Sequence, residues 1–172
     1  LQSGKYAFVS EKFESGVNEF LWAPDSRSIF FTGVWHGKTN IWQTDLNGDV
    51  RQLTDDVRDY SLAALERDGK WLYAKGHSMS HPDELYCVNL QRGHGDADGK
   101  KMGERRPPVS VSCITDVNAE IYRGLAVGDV RERWVKTVDG KDMLCWVVYP
   151  PNFDPEKKYP ALLFCEGGPQ SP

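Results

Sequence analysis

Asp25-Ser26-Arg27-Ser28-Ile29-Phe30-Phe31 returns further along the chain as Asp68-Gly69-Lys70-Trp71-Leu72-Tyr73, and this echo decides the fold. In both copies a polar turn opened by an aspartate runs into a strand of aromatic and branched residues, at a spacing of about 43 residues, the period of a propeller blade. A second strand follows in each unit: Asn40-Ile41-Trp42-Gln43-Thr44-Asp45-Leu46 is answered by Glu84-Leu85-Tyr86-Cys87-Val88-Asn89-Leu90. After Leu46 come the turn Asn47-Gly48-Asp49 and then Arg51-Gln52-Leu53-Thr54-Asp55, whose close is echoed by Cys113-Ile114-Thr115-Asp116. A partial earlier copy, Ser3-Gly4-Lys5-Tyr6-Ala7-Phe8-Val9-Ser10, reads as the strand of a preceding unit. Short strands and turns alternate here with no sustained apolar period of 3.6, so the region is mainly β: a partial β-propeller of two repeats plus a remnant. A small antiparallel sheet has two apolar faces and buries them by stacking on its neighbours in a ring. Two blades cannot close a ring, so apolar faces are expected to stand exposed at the ends unless further polypeptide covers them.

Between the second repeat's strand and its Ile114-Thr115 close, residues 91–108 form an insertion nearly devoid of apolar side chains and are expected to be a mobile loop. Its Asp96-Ala97-Asp98-Gly99 opens like a calcium loop, but the later acidic ligands at that spacing are missing, so no metal is expected there. The basic cluster Lys100, Lys101, Arg105 and Arg106 reads as a solvated face.

The organisation changes near Gly128. Arg133-Trp134-Val135-Lys136-Thr137-Val138 leads to Asp139-Gly140, a hairpin signal, and Met143-Leu144-Cys145-Trp146-Val147-Val148-Tyr149 follows. Pro150 and Pro151 stop that strand. After a polar turn, the continuous apolar run Tyr159-Pro160-Ala161-Leu162-Leu163-Phe164-Cys165 leads to Glu166-Gly167-Gly168-Pro169. A run apolar on both faces predicts a parallel strand buried inside an α/β sheet. The expected domains are therefore residues 1–127, the last blades of a propeller, and residues 128–172, the opening strands of an α/β domain.

Charge and cysteine spacing exclude several functions. The net charge of −4, with Lys and Arg scattered among Asp and Glu, provides no basic stripe for a phosphate backbone, so nucleic acid is not an expected partner. Cys87, Cys113, Cys145 and Cys165 show no Cys-x-x-Cys spacing for a metal, and their apolar neighbours predict small buried core residues, with a disulfide left open. No apolar run is long enough to span a membrane. The chain begins with Leu1 rather than Met, which is expected of an N-terminus made by truncation or processing, with any targeting signal outside it.

Taken in order, these phrases resemble the prolyl oligopeptidase family of serine peptidases, in particular its dipeptidyl-peptidase and acylaminoacyl-peptidase branches. The resemblance runs through the repeats, the crossing Ile114-Thr115-Asp116-Val117-Asn118, the Trp-bearing strand, the Asp139-Gly140 hairpin, Tyr149-Pro150-Pro151-Asn152-Phe153-Asp154, Tyr159-Pro160 and Gly167-Gly168-Pro169. It implies a propeller followed by an α/β-hydrolase domain, short peptides as substrates, the remainder of the same polypeptide as partner, and no cofactor. It also places Glu166, Gly167, Gly168 and Pro169 in the early loop that lends a backbone N–H to the oxyanion of acyl transfer. Where the family usually has His or Tyr before the two glycines, this sequence has Glu166, whose carboxylate would repel an oxyanion. No catalytic residue is expected within the chain: the Ser, Asp and His of the triad are expected beyond Pro172. A non-enzymatic binding propeller with residues 128–172 as an accessory segment, and an esterase or amidase on the same scaffold, are the competing readings.

One phrase imitates a nucleophile elbow. Gly76-His77-Ser78-Met79-Ser80 approaches Gly-x-Ser-x-Gly, but its last position is serine, and His81-Pro82 with a further strand follows where a helix is required. Ser78 is therefore not expected to be a nucleophile, and His36, His77, His81 and His94 are expected to be turn or surface residues.

Overall fold

The repeated aspartates build the turns from which the sheets grow. Asp25 accepts the Arg27 amide at 2.9 Å, Asp68 accepts that of Lys70 at 2.9 Å, and the residue after each aspartate is left-handed: Ser26 at φ 57° and Gly69 at φ 70°. A carboxylate that satisfies its own turn, followed by a residue of positive φ, closes a tight hairpin. Residues 6–91 and 109–165 of the computed structural model are described below. They form two units, Leu1–Val117 and Asn118–Pro172.

In the first unit, β1 (Val17–Trp22), β2 (Ser28–Trp35), β3 (Lys38–Asp45) and β4 (Val50–Gln52) make one four-stranded sheet in sequence order. β5 (Asp59–Leu65), β6 (Trp71–Ser78), β7 (His81–Asn89) and β8 (Ser110–Cys113) repeat the same meander. All neighbouring pairs are antiparallel. This is the form of a propeller blade. The repeated phrases cover the three later strands of each sheet but not β1 or β5.

Directly paired residues share a face, so the register assigns the core. Thr32↔Ile41 and Phe30↔Gln43 put Phe30 and Ile41 on one face of the first sheet, and Phe31↔Trp42 puts those two on the other. Phe30, Ile41 and Leu53 pack in one cluster with Leu72, Tyr86 and Val88 of the second sheet. On the opposite face Phe13 covers Phe31 and Trp42, its ring centroid 5.2 and 4.8 Å from theirs. Gly33 permits this approach, because a Cβ there would lie 2.4 Å from Phe13 Cε1.

Two carboxylates tie the sheets together. The Thr39 amide donates to Asp59 Oδ1 at 2.6 Å, and the Leu62 amide donates to Glu19 Oε2 at 2.7 Å, beside a register shift that follows Leu62 in β5. Asp59→Ala leaves a half-buried amide without its charged acceptor and is expected to cost about 1–3 kcal/mol, read as a shifted urea midpoint at unchanged slope. An unaltered midpoint would mean that water replaces the carboxylate.

One of the apolar faces expected at the ends is present. Phe20 and Trp22, on the far side of the first sheet, are 62% and 53% exposed. Two other expectations are overturned. The remnant Ser3–Ser10 is not a strand over its described part, residues 6–10, which holds irregular chain and a turn. Its tie to the first sheet is a side chain, with Thr44 Oγ1 donating to Val9 O at 2.8 Å. Nor are the cysteines core residues: all four are free thiols, Cys113 and Cys165 exposed, Cys87 and Cys145 half-buried. Cys113 ends the edge strand β8, and Cys145 lies on a two-stranded ribbon that buries little on either face. Cys87 pairs with Tyr73 on the face of the second sheet turned from the core, where partial burial still pushes its thiol pKa up. The insertion phrases Asp96–Gly99, Lys100, Lys101, Arg105 and Arg106, together with His94, lie outside the described residues.

In the second unit a one-turn helix α1 (Ala119–Tyr122) precedes β9 (Asp129–Lys136) and β10 (Asp142–Tyr149), an antiparallel ribbon. Asp139-Gly140 forms its hairpin, with Gly140 at φ 80° and the Thr137 amide donating to Lys141 O at 2.9 Å. The division between units falls at Val117/Asn118, ten residues or so before the change of pattern at Gly128, and so assigns α1 to the second unit.

Candidate functional site

Glu166, Gly167, Gly168 and Pro169 lie outside the described residues, so the structure speaks to the chain that leads to them. β10 ends at Tyr149, and Pro150, which has no N–H, cannot extend the ladder. The chain folds back through Asn152 at φ 57°, and the rings of Tyr149, Phe153 and Tyr159 stack in series, with centroids 4.5 and 5.2 Å apart. The Tyr159 hydroxyl accepts the Asp154 amide at 3.0 Å, while Asp154 Oδ1 accepts the Glu156 amide at 3.0 Å. At the base of the ribbon, a Cβ at Gly128 would lie 2.3 Å from Tyr149 O, so only glycine fits there.

The run that follows is not the strand the sequence predicts. Ala161–Cys165 carries no strand pairing, and Leu162, Leu163 and Phe164 are 101%, 90% and 86% exposed. A parallel strand apolar on both faces exists only between two neighbouring strands with layers above and below. Among the described residues no such neighbours are present for it.

The structure gives the elbow imitation an ordinary role. Ser78 ends β6, its Oγ accepts the Ser80 amide at 3.3 Å, and β7 begins at His81. His36, His77 and His81 are exposed; His36 occupies the β2–β3 turn at φ 52°, and His77 Nδ1 lies 3.0 Å from Asp83 Oδ1. No group of three or more His, Cys, Asp or Glu among the described residues could hold a metal, and none of their helices is long and apolar enough to cross a membrane.

Two polar arrangements escape the sequence reading. In the first, Asp56 Oδ2 accepts both the Tyr60 hydroxyl at 2.8 Å and Arg58 Nη1 at 3.1 Å. Arg58 Nε donates to the Tyr86 hydroxyl at 3.1 Å, and its guanidinium lies 5.0 Å from the Tyr86 ring centroid. The signal was the alternation Asp56-x-Arg58-x-Tyr60, which puts three polar groups on one side of the chain entering β5. Burial, reinforced by the Asp56 carboxylate, pushes the Tyr60 hydroxyl well above the usual tyrosine range, and burial also raises Tyr73 and Tyr86. An unfolded tyrosine ionises near pH ~10 while these stay protonated, so their contribution is fully present below that pH and is lost as pH rises toward the folded values. Stability is expected to fall above pH ~10, and Tyr60→Phe to flatten that fall in urea titrations; an equal slope in the variant would count against the linkage. The second arrangement involves Glu84 and Thr115.

No family model matches the chain. Individual relatives do. Dipeptidyl-peptidase 5 of Porphyromonas gingivalis is 38% identical over 172 residues, which is 99% of this chain and 22% of that protein. Dipeptidyl-peptidase 5 of Porphyromonas endodontalis is 34% identical over 147 residues, 84% of this chain and 18% of the relative. Among solved structures, an acylaminoacyl peptidase superposes with a TM-score of 0.64 at 18% identity, covering 91% of this chain and 21% of that one. At that identity the likeness concerns the fold. Blade-form sheets, the hairpin unit and sequence identity with these peptidases bear out the resemblance to the prolyl oligopeptidase family. Within it the similarity is to the proteins named dipeptidyl-peptidase 5, of whose length the chain spans about a fifth.

Proposed function

We propose that the chain is the junction segment of a serine-type peptidase that hydrolyses short peptides. The carrying observation is the 38% identity to a dipeptidyl-peptidase 5 over 99% of the chain. In this reading residues 1–127 are the last blades of a propeller that narrows access to the active site and so favours small peptides. Residues 128–172 open the hydrolase domain and carry the Glu166–Pro169 loop.

The chemistry required of that loop is modest. When the nucleophile adds to a peptide carbonyl, negative charge develops on oxygen and needs fixed donors. Gly167 and Gly168, free of side chains, let the backbone come close enough to offer an N–H. A carboxylate would repel that oxygen, so in this reading Glu166 is not a donor and serves contact with substrate or a neighbouring cation, or the structure of the loop itself. Nucleophile, base and orienting acid are supplied by the rest of the polypeptide, so the 172-residue chain alone is inert.

A serine-reactive phosphonate tests this. The chain extended through one further domain is expected to be labelled stoichiometrically and the chain itself not at all. Labelling of the short chain, or none of the extended one, would overturn the reading. A panel of chromogenic peptide amides and simple esters on the full-length protein then separates peptidase from esterase.

A further inference from the structure

The two repeats close in the same way except at one residue, and that exception sits where the chain leaves the second sheet. In the first sheet, Thr54 Oγ1 accepts the Ile41 amide at 2.9 Å and donates to Asn40 Oδ1 at 2.8 Å. In the second, Thr115 Oγ1 accepts the Leu85 amide at 2.8 Å and donates to Glu84 Oε2. The backbone follows suit, the Leu53 amide donating to Ile41 O and the Ile114 amide to Leu85 O, each at 2.8 Å. Position for position, Asn40 corresponds to Glu84 and Thr54 to Thr115.

The difference lies in the acceptor. Asn40 is fully buried, and its Nδ2 finds no partner among the described residues. Glu84 replaces that amide with a carboxylate, longer by one methylene, and Oε2 accepts a second bond, from the Val117 amide at 3.2 Å. After Thr54 the chain goes on to build the next sheet and is held by β5. After Thr115 it leaves the first unit, which ends at Val117. Beyond that point α1 buries no side chain, and Ile121 and Leu125 are exposed. Segments with few buried contacts sit at the low end of local stability.

We propose that Glu84 is the anchor of the exit from the first unit: its carboxylate fixes residues 115–117 to β7. The inference stands apart from the proposed catalytic activity, because it rests on the repeat-to-repeat difference and not on what the second unit does. A bond to an ionised acceptor is stronger than a neutral one, so its removal is felt at the amide that donates it.

Hydrogen exchange in the full-length protein reads this directly. Glu84→Ala is expected to speed exchange at the Val117 amide by at least about tenfold, with the Tyr86 and Val88 amides of β7 unchanged. Glu84→Gln, which keeps a carbonyl acceptor, is expected to restore most of the protection. An unchanged Val117 rate in the alanine variant would overturn the anchor, and so would a rise shared by Tyr86 and Val88 in both variants, since that reports general loosening. Phosphonate labelling of the same preparations keeps the two proposals separate: labelled protein with no change at Val117 removes only the anchor, and unlabelled protein with the expected change removes only the peptidase reading.

Discussion

Phe31→Ala is expected to lower the free energy of unfolding by about 3–5 kcal/mol. Phe31 is 1% exposed and carries the load of its face from both sides, under Phe13 and beside Trp42. Its ring meets Phe13 at an interplanar angle of 70°, an edge contact that adds to the area buried. The cavity cannot collapse cheaply. Phe13 already lies against the bare Cα of Gly33, and sinking further would drive its ring into the backbone. Urea unfolding checks the value, with Phe20→Ala as the internal control: Phe20 sits on the same face, directly opposite Phe31, but is largely exposed, and its loss is expected to cost no more than about 0.5 kcal/mol. Similar costs at the two positions would mean that Phe13 does not cap the sheet.

Thr54→Val is the second large effect, about 2–4 kcal/mol, because one hydroxyl satisfies two buried groups and valine satisfies neither. The Ile41 amide loses its acceptor, and Asn40, whose Nδ2 already lacks a partner among the described residues, loses the donor to its oxygen. Buried polar groups left unpaired bear the full cost of desolvation. Thr115→Val removes the same pair of bonds in the second sheet, but Thr115 is only half-buried and water can reach Leu85 and Glu84. The same substitution is therefore expected to cost clearly less there, about 1–2 kcal/mol. Equal losses in the two variants would show that burial does not govern the bond.

The legibility of the sequence tracks how local each cause is. The Asp25 and Asp68 turns, the Asn47-Gly48 turn and the Asp139-Gly140 hairpin were readable because an aspartate or a glycine settles each within five residues. The Thr54 and Thr115 echo was visible as a phrase, and the structure supplies its reason, a hydroxyl closing the sheet on the strand before it. β1 and β5 were not readable. Val17–Trp22 and Asp59–Leu65 share no phrase, since each answers to a different neighbour: Glu19 reaches across to Leu62, while Asp59 receives Thr39. The cysteines were misjudged because apolar neighbours in sequence say nothing of which face of a strand is covered. The run to Cys165 has the pattern of a strand that takes shape only between partners, and the described residues hold none for it. Of the candidate loop the sequence carries the glycines and the unexpected Glu166, and the structure contributes the aromatic stack that leads toward them.

That stack bears on how the polypeptide survives its own synthesis. Ala161–Cys165 is a short, uncharged, strongly apolar stretch of the kind that nucleates cross-β assembly when left bare. It is preceded by Lys157, Lys158 and Pro160, residues that oppose intermolecular strand addition through charge and a missing amide. The Tyr159 hydroxyl holds the turn at Asp154, and the gatekeepers on that turn, adjoining the sticky stretch in sequence, guard it against other chains from one side.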